Sequence, residues 1–411
     1  MLAGGRFVPL SASEVPDSRD RAVANRLVTT ALRHHGHLNL ILTHLLDRGV
    51  PAKSGSFDAT LRLALAQLLY LPELGDHSAL FLAVEATKRD KRTAHLGKLI
   101  NAVLRRAQKE ADQLREAPAE LLFPETLRDS WIGAYGKPAV IGIAEALLAG
   151  ASLDLTLKHD DPGLIEALGG KAAMFDTVRV ESRDRPIEAL PGYAEGQWWV
   201  QDVAASLPAR LLGLPAGARV LDLCAAPGGK TAQLCKAGYT VTALDNDAAR
   251  LERLKSNLQR LAYSAEIVEA DAASFAPAQL FDAVLLDAPC SATGTLRRHP
   301  EVVWHRDAAD IAGRVALQRR LLVNAAKLVA PGGVLVYCVC SLEPEEGVTQ
   351  ARWARNTIDG LEVVPIDAAE IGGLEGAITQ DGYVRTYPGL PVPGGVGGTL
   401  DGFFIARFRR R

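Results

Sequence analysis

The sequence predicts a multidomain chain: an all-helical bundle, then a small α/β subdomain, then an open α/β domain built on a parallel sheet. Three observations predict it. Apolar residues recur every three to four positions from about residue 19 to 110, with no strand-like alternation. Period-two alternation appears between about 150 and 200. From Arg219 onward, short apolar runs alternate with helical or loop sequence, the pattern of a parallel sheet covered by helices on both faces.

Residues 1–18 read as a flexible tail and 19–140 as the helical domain. "RAVANRLVTTALRHHGHLNLILTHLLDRG" spaces its Val, Leu and Ile at helical intervals and stops at Gly49. Its His34, His35 and His37 read as a solvated helix end. "DATLRLALAQLLYLPEL" is apolar enough for a central buried helix, and "HSALFLAVEATKR" and "AHLGKLINAVLRRAQ" supply two more. Pro118 and Pro124 mark a connecting stretch. In the subdomain, 150–200, "SLDLTLK" and "DTVRVES" alternate like strands around the helix-like "DPGLIEALGG". Across 201–411 the strands are "RVLDLC", "TVTALD", "AEIVEA", "FDAVLLD" and "GGVLVYC". "YPGLPVPGGVGGTLDG" is a long loop, and "FFIARFRRR" a last strand with a basic end.

Composition narrows the class. Apolar residues make up 48% of 411 and charged residues 23%, as in a soluble globular protein. No apolar run is long enough to span a bilayer, and the N-terminus lacks the charged start and apolar block of a secretory signal. A cytoplasmic protein with no membrane partner, and a monomer, is expected. The five cysteines all lie between Cys224 and Cys340, without a C-x-x-C pair. An odd number in one region is no disulfide framework, and no metal site is expected. Net charge is −2, yet "KRDKRTAHLGKLINAVLRRAQK", Lys88 to Lys109, holds eight bases and one acid. Charge alone leaves two readings open: a solvated helix face, or a phosphate-contacting surface.

"VLDLCAAPGGKTAQL" runs strand, tight loop, helix. Gly228 and Gly229 let a backbone approach a ligand, and the helix N-terminus favours an anionic group. A phosphate-binding P-loop shares the Gly229-Lys230-Thr231 end, but its required first glycine is Cys224 here. The other reading is a nucleoside cofactor site. Strands end on or near Asp245, Asp271 and Asp287, and three acids at the carboxyl ends of successive strands would line one crevice. Carboxylates for ribose hydroxyls and an adenine amine, with helix-end N–H groups for a carboxylate, suit S-adenosylmethionine.

Two strands end beside cysteines: "FDAVLLDAPCSATG" at Cys290 and "GGVLVYCVCS" at Cys340. "LDLCAAPGGKT", "LDNDAARLERLKSNLQRL", "FDAVLLDAPCSATGTLRRHPEVVW" and "YCVCSLEPEEG" resemble, in order, the motifs of the RNA cytosine-C5 methyltransferases, the NOL1/NOP2/Sun family. "WWVQDVAASLPARLL" and "DGFFIARF" resemble its flanking elements, so the likeness covers about 150–411. "RDRAVANRLVTTALR" and "LINAVLRR" are similar to the helical NusB RNA-binding fold.

The resemblance implies a Rossmann-like S-adenosylmethionine-dependent methyltransferase domain behind a NusB-like one, acting on RNA, 16S rRNA foremost. A tRNA substrate, or a non-catalytic RNA-binding assembly or antitermination factor, are the alternatives. Cytosine C5 is a poor nucleophile until a thiolate adds to C6, which accounts for a cysteine in such a site. In DNA cytosine-C5 methyltransferases the Pro-Cys residue attacks, which would point to Cys290; their F-x-G-x-G and E-N-V segments are absent here. In the RNA family the nucleophile sits in a later T-C-S motif, matching Cys340. Cys290 is then implied in product release and Asp287 in contacting the cytosine and the cofactor. Cys224, Ala225, Ala226, Pro227, Gly228, Gly229, Lys230, Asp245 and Asp271 are implied to hold S-adenosylmethionine. Arg297 and Arg298 are candidate phosphate contacts, with an ion-pair role as the alternative. In this context Lys88, Arg89, Lys91, Arg92, Lys98, Arg105 and Arg106 become candidates for an RNA surface. Three departures stand out: Val339 for the Thr of T-C-S, Gly347 for an Asn after Glu345-Glu346, and "LDLTLK" for a more usual R-V-N.

Overall fold

The computed structural model describes residues 7–52, 54–181, 186–393 and 399–411. It divides into two compact units, one running to Leu148 and taking in His299–His305, the other formed by Ala149–Arg298 and Arg306–Arg411. Among the described residues no helix is long and apolar enough to cross a membrane.

The first unit is helical: α1 (Ser18–Arg33), α2 (His35–Leu45), α3 (Phe57–Tyr70), α4 (Asp76–Arg89), α5 (Gly97–Lys109), α6 (Ala111–Arg115), α7 (Glu125–Tyr135) and α8 (Lys137–Ala149). The Asp17 carboxylate accepts from the N–H groups of Arg19 and Asp20 and starts α1. The single helix read across residues 21–49 is in fact two, broken at His34 (φ −91°, ψ 13°). The histidines there are not a solvated end. His35 and His37 are buried, His34 stacks on Tyr70 at 3.5 Å between ring centroids, and His37 Nε2 lies 3.0 Å from the Pro118 carbonyl. Burial pushes His34 and His35 down to about 3, so these rings are neutral core groups. As expected, α3 is central, burying Leu61, Leu65, Leu68 and Leu69. The amphipathic α5 buries Ile100, Val103, Leu104 and Ala107 and leaves its bases outside.

The second unit begins with β1 (Leu153–Leu157), α9 (Pro162–Ala167), β2 (Lys171–Ala172), β3 (Thr177–Val180) and β4 (Trp198–Val200). These strands form an antiparallel sheet in the order β2-β3-β1-β4. Then follow α10 (Val203–Arg210), β5 (Arg219–Leu223), α11 (Gly229–Lys236), β6 (Thr240–Asp245), α12 (Ala248–Arg260), β7 (Glu266–Glu269) and β8 (Phe281–Asp287). The chain continues through α13 (Ala308–Leu328), β9 (Val329–Val339), α14 (Val348–Thr357), β10 (Leu361–Val363), β11 (Val384–Thr386) and β12 (Phe403–Arg410).

The large sheet has the order β10-β12-β9-β8-β5-β6-β7, with β11 also on β12. Only β9-β8-β5-β6-β7 is parallel; β12 enters antiparallel beside β9, and β10 and β11 are antiparallel to β12. The sheet is therefore mixed, not parallel throughout. Alternate residues bury opposite faces. Leu221, Leu223, Val284, Leu286, Leu335 and Tyr337 enter one core. Val220, Ala283, Leu285, Val334, Val336 and Cys338 enter the other. Burial on both faces explains why these strands read as near-continuous apolar runs. Strand order reverses between β5 and β8, so the crevice for a ligand lies at the carboxyl ends of β5, β8 and their neighbours.

Candidate active site

The loop after β5 is tightly held. Gly228 takes a left-handed conformation (φ +100°) ahead of α11, and a side chain there would press on Leu254. Asp245, buried at the end of β6, accepts from Ala226 N at 3.2 Å and Asp247 N at 3.2 Å and faces Arg250 at 3.4 Å. Arg250 Nη2 donates to Ala226 O at 2.5 Å and Asn257 Nδ2 to Pro227 O at 2.9 Å. Cys224 is left-handed too (φ +61°), a conformation that costs a non-glycine residue energy and clusters at functional sites. Burial pushes its thiol well up.

Lys230 and Thr231 do not present themselves as in a phosphate loop. Lys230 Nζ donates to Asp287 Oδ2 at 2.7 Å and lies over the Phe403 ring at 4.9 Å. Burial works against its charge, but Asp287, together with the neighbouring Cys338 and Cys340, holds it well above the ordinary lysine value. Thr231 is buried and donates to Asp222 Oδ2 at 2.7 Å. Asp222, which the sequence pattern did not single out, is fully buried with its other oxygen unpartnered. Burial, opposed by the Thr231 bond, pushes its carboxyl up to about 7.

At the ends of β8 and β9 the structure brings the two cysteines together, Cys290 Sγ and Cys340 Sγ lying 3.5 Å apart. Cys338 Sγ stands 3.5 Å from Asp287 Oδ1 on the neighbouring strand. The hydrogen bond to Cys340, with burial and the Glu346 charge, holds the Cys290 thiol well above its ordinary value. Gly294 N donates to Cys340 O at 3.0 Å, and Gly402 N to Gly294 O at 2.8 Å. A Cβ on Gly294 would collide with the Gly402 backbone, so glycine is what lets the β12 approach lie against the Cys340 loop.

The other predicted residues differ in exposure and in the partners they take. Asp271 is exposed, and its Oδ1 accepts from Ala273 N at 2.9 Å, a turn cap. Arg297 and Arg298 do not form a phosphate surface. Arg297 is 1% exposed and donates to Asp401 Oδ1 at 2.7 Å and Asp202 Oδ2 at 2.9 Å; Arg298 meets the same two acids at 2.9 and 2.7 Å. Two guanidinium groups and two carboxylates neutralise one another inside the protein. In "LDLTLK", Asp154 is buried in a two-bond pair with Arg179 and Thr156 donates to Gln201 Oε1 at 3.2 Å. By contrast Lys88, Arg89, Lys91, Arg92, Lys98, Arg105 and Arg106 are all exposed. Lys88, Arg92 and Arg106 pair with Glu85, Asp90 and Glu110; among the described residues Arg89, Lys91, Lys98 and Arg105 have no ion pair. Among the described residues no group of three or more His, Cys, Asp or Glu is arranged to hold a metal ion.

A family model described as 16S rRNA methyltransferase RsmB/F matches residues 209–409, and a NusB family model matches residues 8–109. "Ribosomal RNA small subunit methyltransferase B" of Xanthomonas campestris pv. campestris is 37% identical, the match covering 95% of this chain and 89% of that one. The chain belongs to the RsmB/F methyltransferase family. The protein of the same name from Vibrio cholerae is 34% identical over 89% of this chain and 88% of its own. A solved methyltransferase homolog protein from Pyrococcus horikoshii is 26% identical, with a TM-score of 0.58, and covers 72% of this chain and 98% of its own.

The RsmB/F motif departures have structural counterparts. Val339 is fully buried in the sheet core, where a valine packs without needing a partner for a hydroxyl. A side chain at Gly347 would collide with Arg385 and the Phe404 ring; Arg385 fills that space and donates to the Ser341 carbonyl. Ser291, Ser341 and Glu346, which lie inside the quoted motifs but carried no assignment, form a buried hydrogen-bonded group behind the cysteines.

Proposed function

We propose that this protein methylates C5 of a cytosine in 16S rRNA through a covalent adduct between Cys340 and C6. One observation carries the two-cysteine reading: Cys290 Sγ and Cys340 Sγ lie 3.5 Å apart, so both reach one cytosine. The distance lets either thiol donate to the other, and the place of Cys340 in the later V-C-S motif, matching the family's T-C-S, favours it as nucleophile. Addition of that thiolate to C6 makes C5 enamine-like. S-adenosylmethionine, when bound, supplies the electrophilic methyl group. The Cys224–Lys230 loop, the α11 N-terminus and Asp245 fit such a group: backbone N–H groups for its carboxylate, a carboxylate for its ribose. The donor set agrees with such a group: Asp245 accepts from Ala226 N at 3.2 Å, which fixes its carboxylate beside the loop. Asp287 would contact the cytosine ring, and the Lys230 ammonium beside it would counter the negative charge that thiolate addition places there. After methylation water takes the C5 proton, the C5–H bonding pair restores the C5–C6 double bond, and the C6–S bond breaks with its pair leaving on Cys340 as thiolate, the Cys290 thiol beside it assisting that departure.

The exposed bases on α4 and α5 and between them would contact RNA phosphates, a term the net-acidic remainder lacks. The target base must be unstacked to reach a recessed pocket. A ribosomal RNA substrate implies a cytoplasmic location. Both cysteines, Asp287 and the loop come from one chain, which supports a monomer.

The test is adduct trapping with S-adenosylmethionine and unmodified 16S rRNA, with tRNA in parallel. Cys290→Ala is expected to accumulate an adduct that survives denaturation, and Cys340→Ala to form none. An adduct that depends on Cys290 would reverse the roles. Adduct and methyl transfer on tRNA alone would replace the substrate.

A further inference from the structure

The residue after each cysteine is tied to its counterpart by side chains that the reaction does not use. Ser291 Oγ and Ser341 Oγ lie 2.9 Å apart, and Ser291 Oγ lies 2.5 Å from Glu346 Oε2. A carboxylate oxygen accepts, so Ser291 donates to Glu346 and Ser341 donates to Ser291. Glu346 Oε1 also accepts from Ser291 N at 2.9 Å and from Gln318 Nε2 at 3.0 Å, and Gln318 Nε2 reaches Pro289 O at 3.0 Å. On the same side, Leu342 N donates to Thr293 Oγ1 at 3.0 Å. Ser291, Thr293, Gln318, Ser341 and Glu346 are all 0% exposed.

A buried acid is costly, and an apolar cluster of equal volume would hold two loops together as well or better. What a hydrogen-bonded chain adds is a fixed geometry. The hydrogen-bonded series runs from Ser341, one residue after Cys340, through Ser291, one residue after Cys290, to Glu346. The Ala292 backbone that follows is left-handed (φ +60°), a strained conformation that only its surroundings maintain.

We propose that Glu346, acting through Ser291 and Ser341, is a positioning group that sets the separation of the Cys290 and Cys340 sulfurs and so governs release of the methylated product. The link to release rests on the roles given to the two cysteines above; the link to sulfur separation does not. The Glu346 charge also contributes to keeping the Cys290 thiol protonated beside the departing sulfur.

The test uses the full chain as wild type, Ser291→Ala, Ser341→Ala and Ser291→Thr, which keeps a hydroxyl. Without RNA, diamide closes the Cys290–Cys340 disulfide, the diazene taking up the two thiol hydrogens and their electrons. The closure rate, read by mass after alkylation, reports how the sulfurs are held. With 16S rRNA and S-adenosylmethionine, the ratio of covalent adduct to methylated product reports release. Both alanine variants are expected to close the disulfide about tenfold more slowly and to accumulate adduct, since small misplacements of reacting atoms cost that much or more. Ser291→Thr is expected to restore both. Wild-type closure rates in the alanine variants would overturn the proposal. So would a lowered melting temperature that Ser291→Thr corrects while closure stays slow, since that marks a purely structural role. If wild type forms no adduct, the cysteine roles fail, and the closure rates still decide the positioning.

Discussion

Replacing Arg297 with methionine separates a buried structural arginine from a phosphate contact. The guanidinium is 1% exposed and shares Asp401 and Asp202 with Arg298. Burial raises Asp202, but Arg298, Arg297 and backbone N–H groups of Asp401 and Ala204 outweigh it and hold the carboxyl below its ordinary value. Methionine keeps most of the volume, so the loss is chiefly electrostatic. One positive charge then faces two buried carboxylates. Breaking a buried pair typically costs about 3–5 kcal/mol; Arg298 remains within 2.9 Å of both acids, which puts this case near the lower end, about 3 kcal/mol. In a unit of this size that lowers the melting temperature by about 6–12 °C. Thermal unfolding measures it, and RNA binding at several salt concentrations gives the second readout. A phosphate-contacting arginine would reduce the slope of log affinity against log salt by about one; Arg297 is expected to leave it unchanged. A variant that melts with wild type and loses that slope would refute the burial argument and return Arg297 to the RNA surface.

Other outcomes follow from the same structure. Asp222 has its folded-state value raised from 3.8 to about 7 by burial, so its contribution to stability is full below pH 3.8 and is lost as pH rises to about 7. The gap of about three pH units corresponds to about 4 kcal/mol. Asp222→Asn should therefore gain on wild type in denaturant unfolding between pH 5 and pH 8, and an unchanged difference across that range would contradict it. The double variant Lys98→Ala, Arg105→Ala removes two exposed, unpaired bases. It should lower the salt slope of RNA binding by about two while changing stability by no more than about 0.5 kcal/mol; an unchanged slope would remove α5 from the RNA surface.

Much of this was legible locally. Apolar spacing of three and four located α3 and α5 because burying one helix face requires it, and near-continuous apolar runs located β5, β6 and β8 because both sheet faces are covered. The Pro-Gly-Gly-Lys loop and the two strand-end cysteines stood out because residue type and local order alone mark them. What neighbours in sequence cannot specify is which distant partner a polar group meets. Arg297 has the same appearance on paper whether it faces phosphate or, as here, carboxylates 95 and 104 residues away. His34, His35 and His37 read as a polar helix end until α3 and the Pro118 segment close over them. The last strand read as one more sheet member, but only packing decided that it enters antiparallel beside β9. Sequence alone determined the kind of protein this is and marked the residues proposed to do its chemistry. Tertiary structure decided which charges are exposed, and that two sulfurs fifty residues apart lie 3.5 Å from each other. The physical reason is that burial and hydrogen-bond pairing are properties of contacts between segments, and a local pattern carries no record of which segments meet.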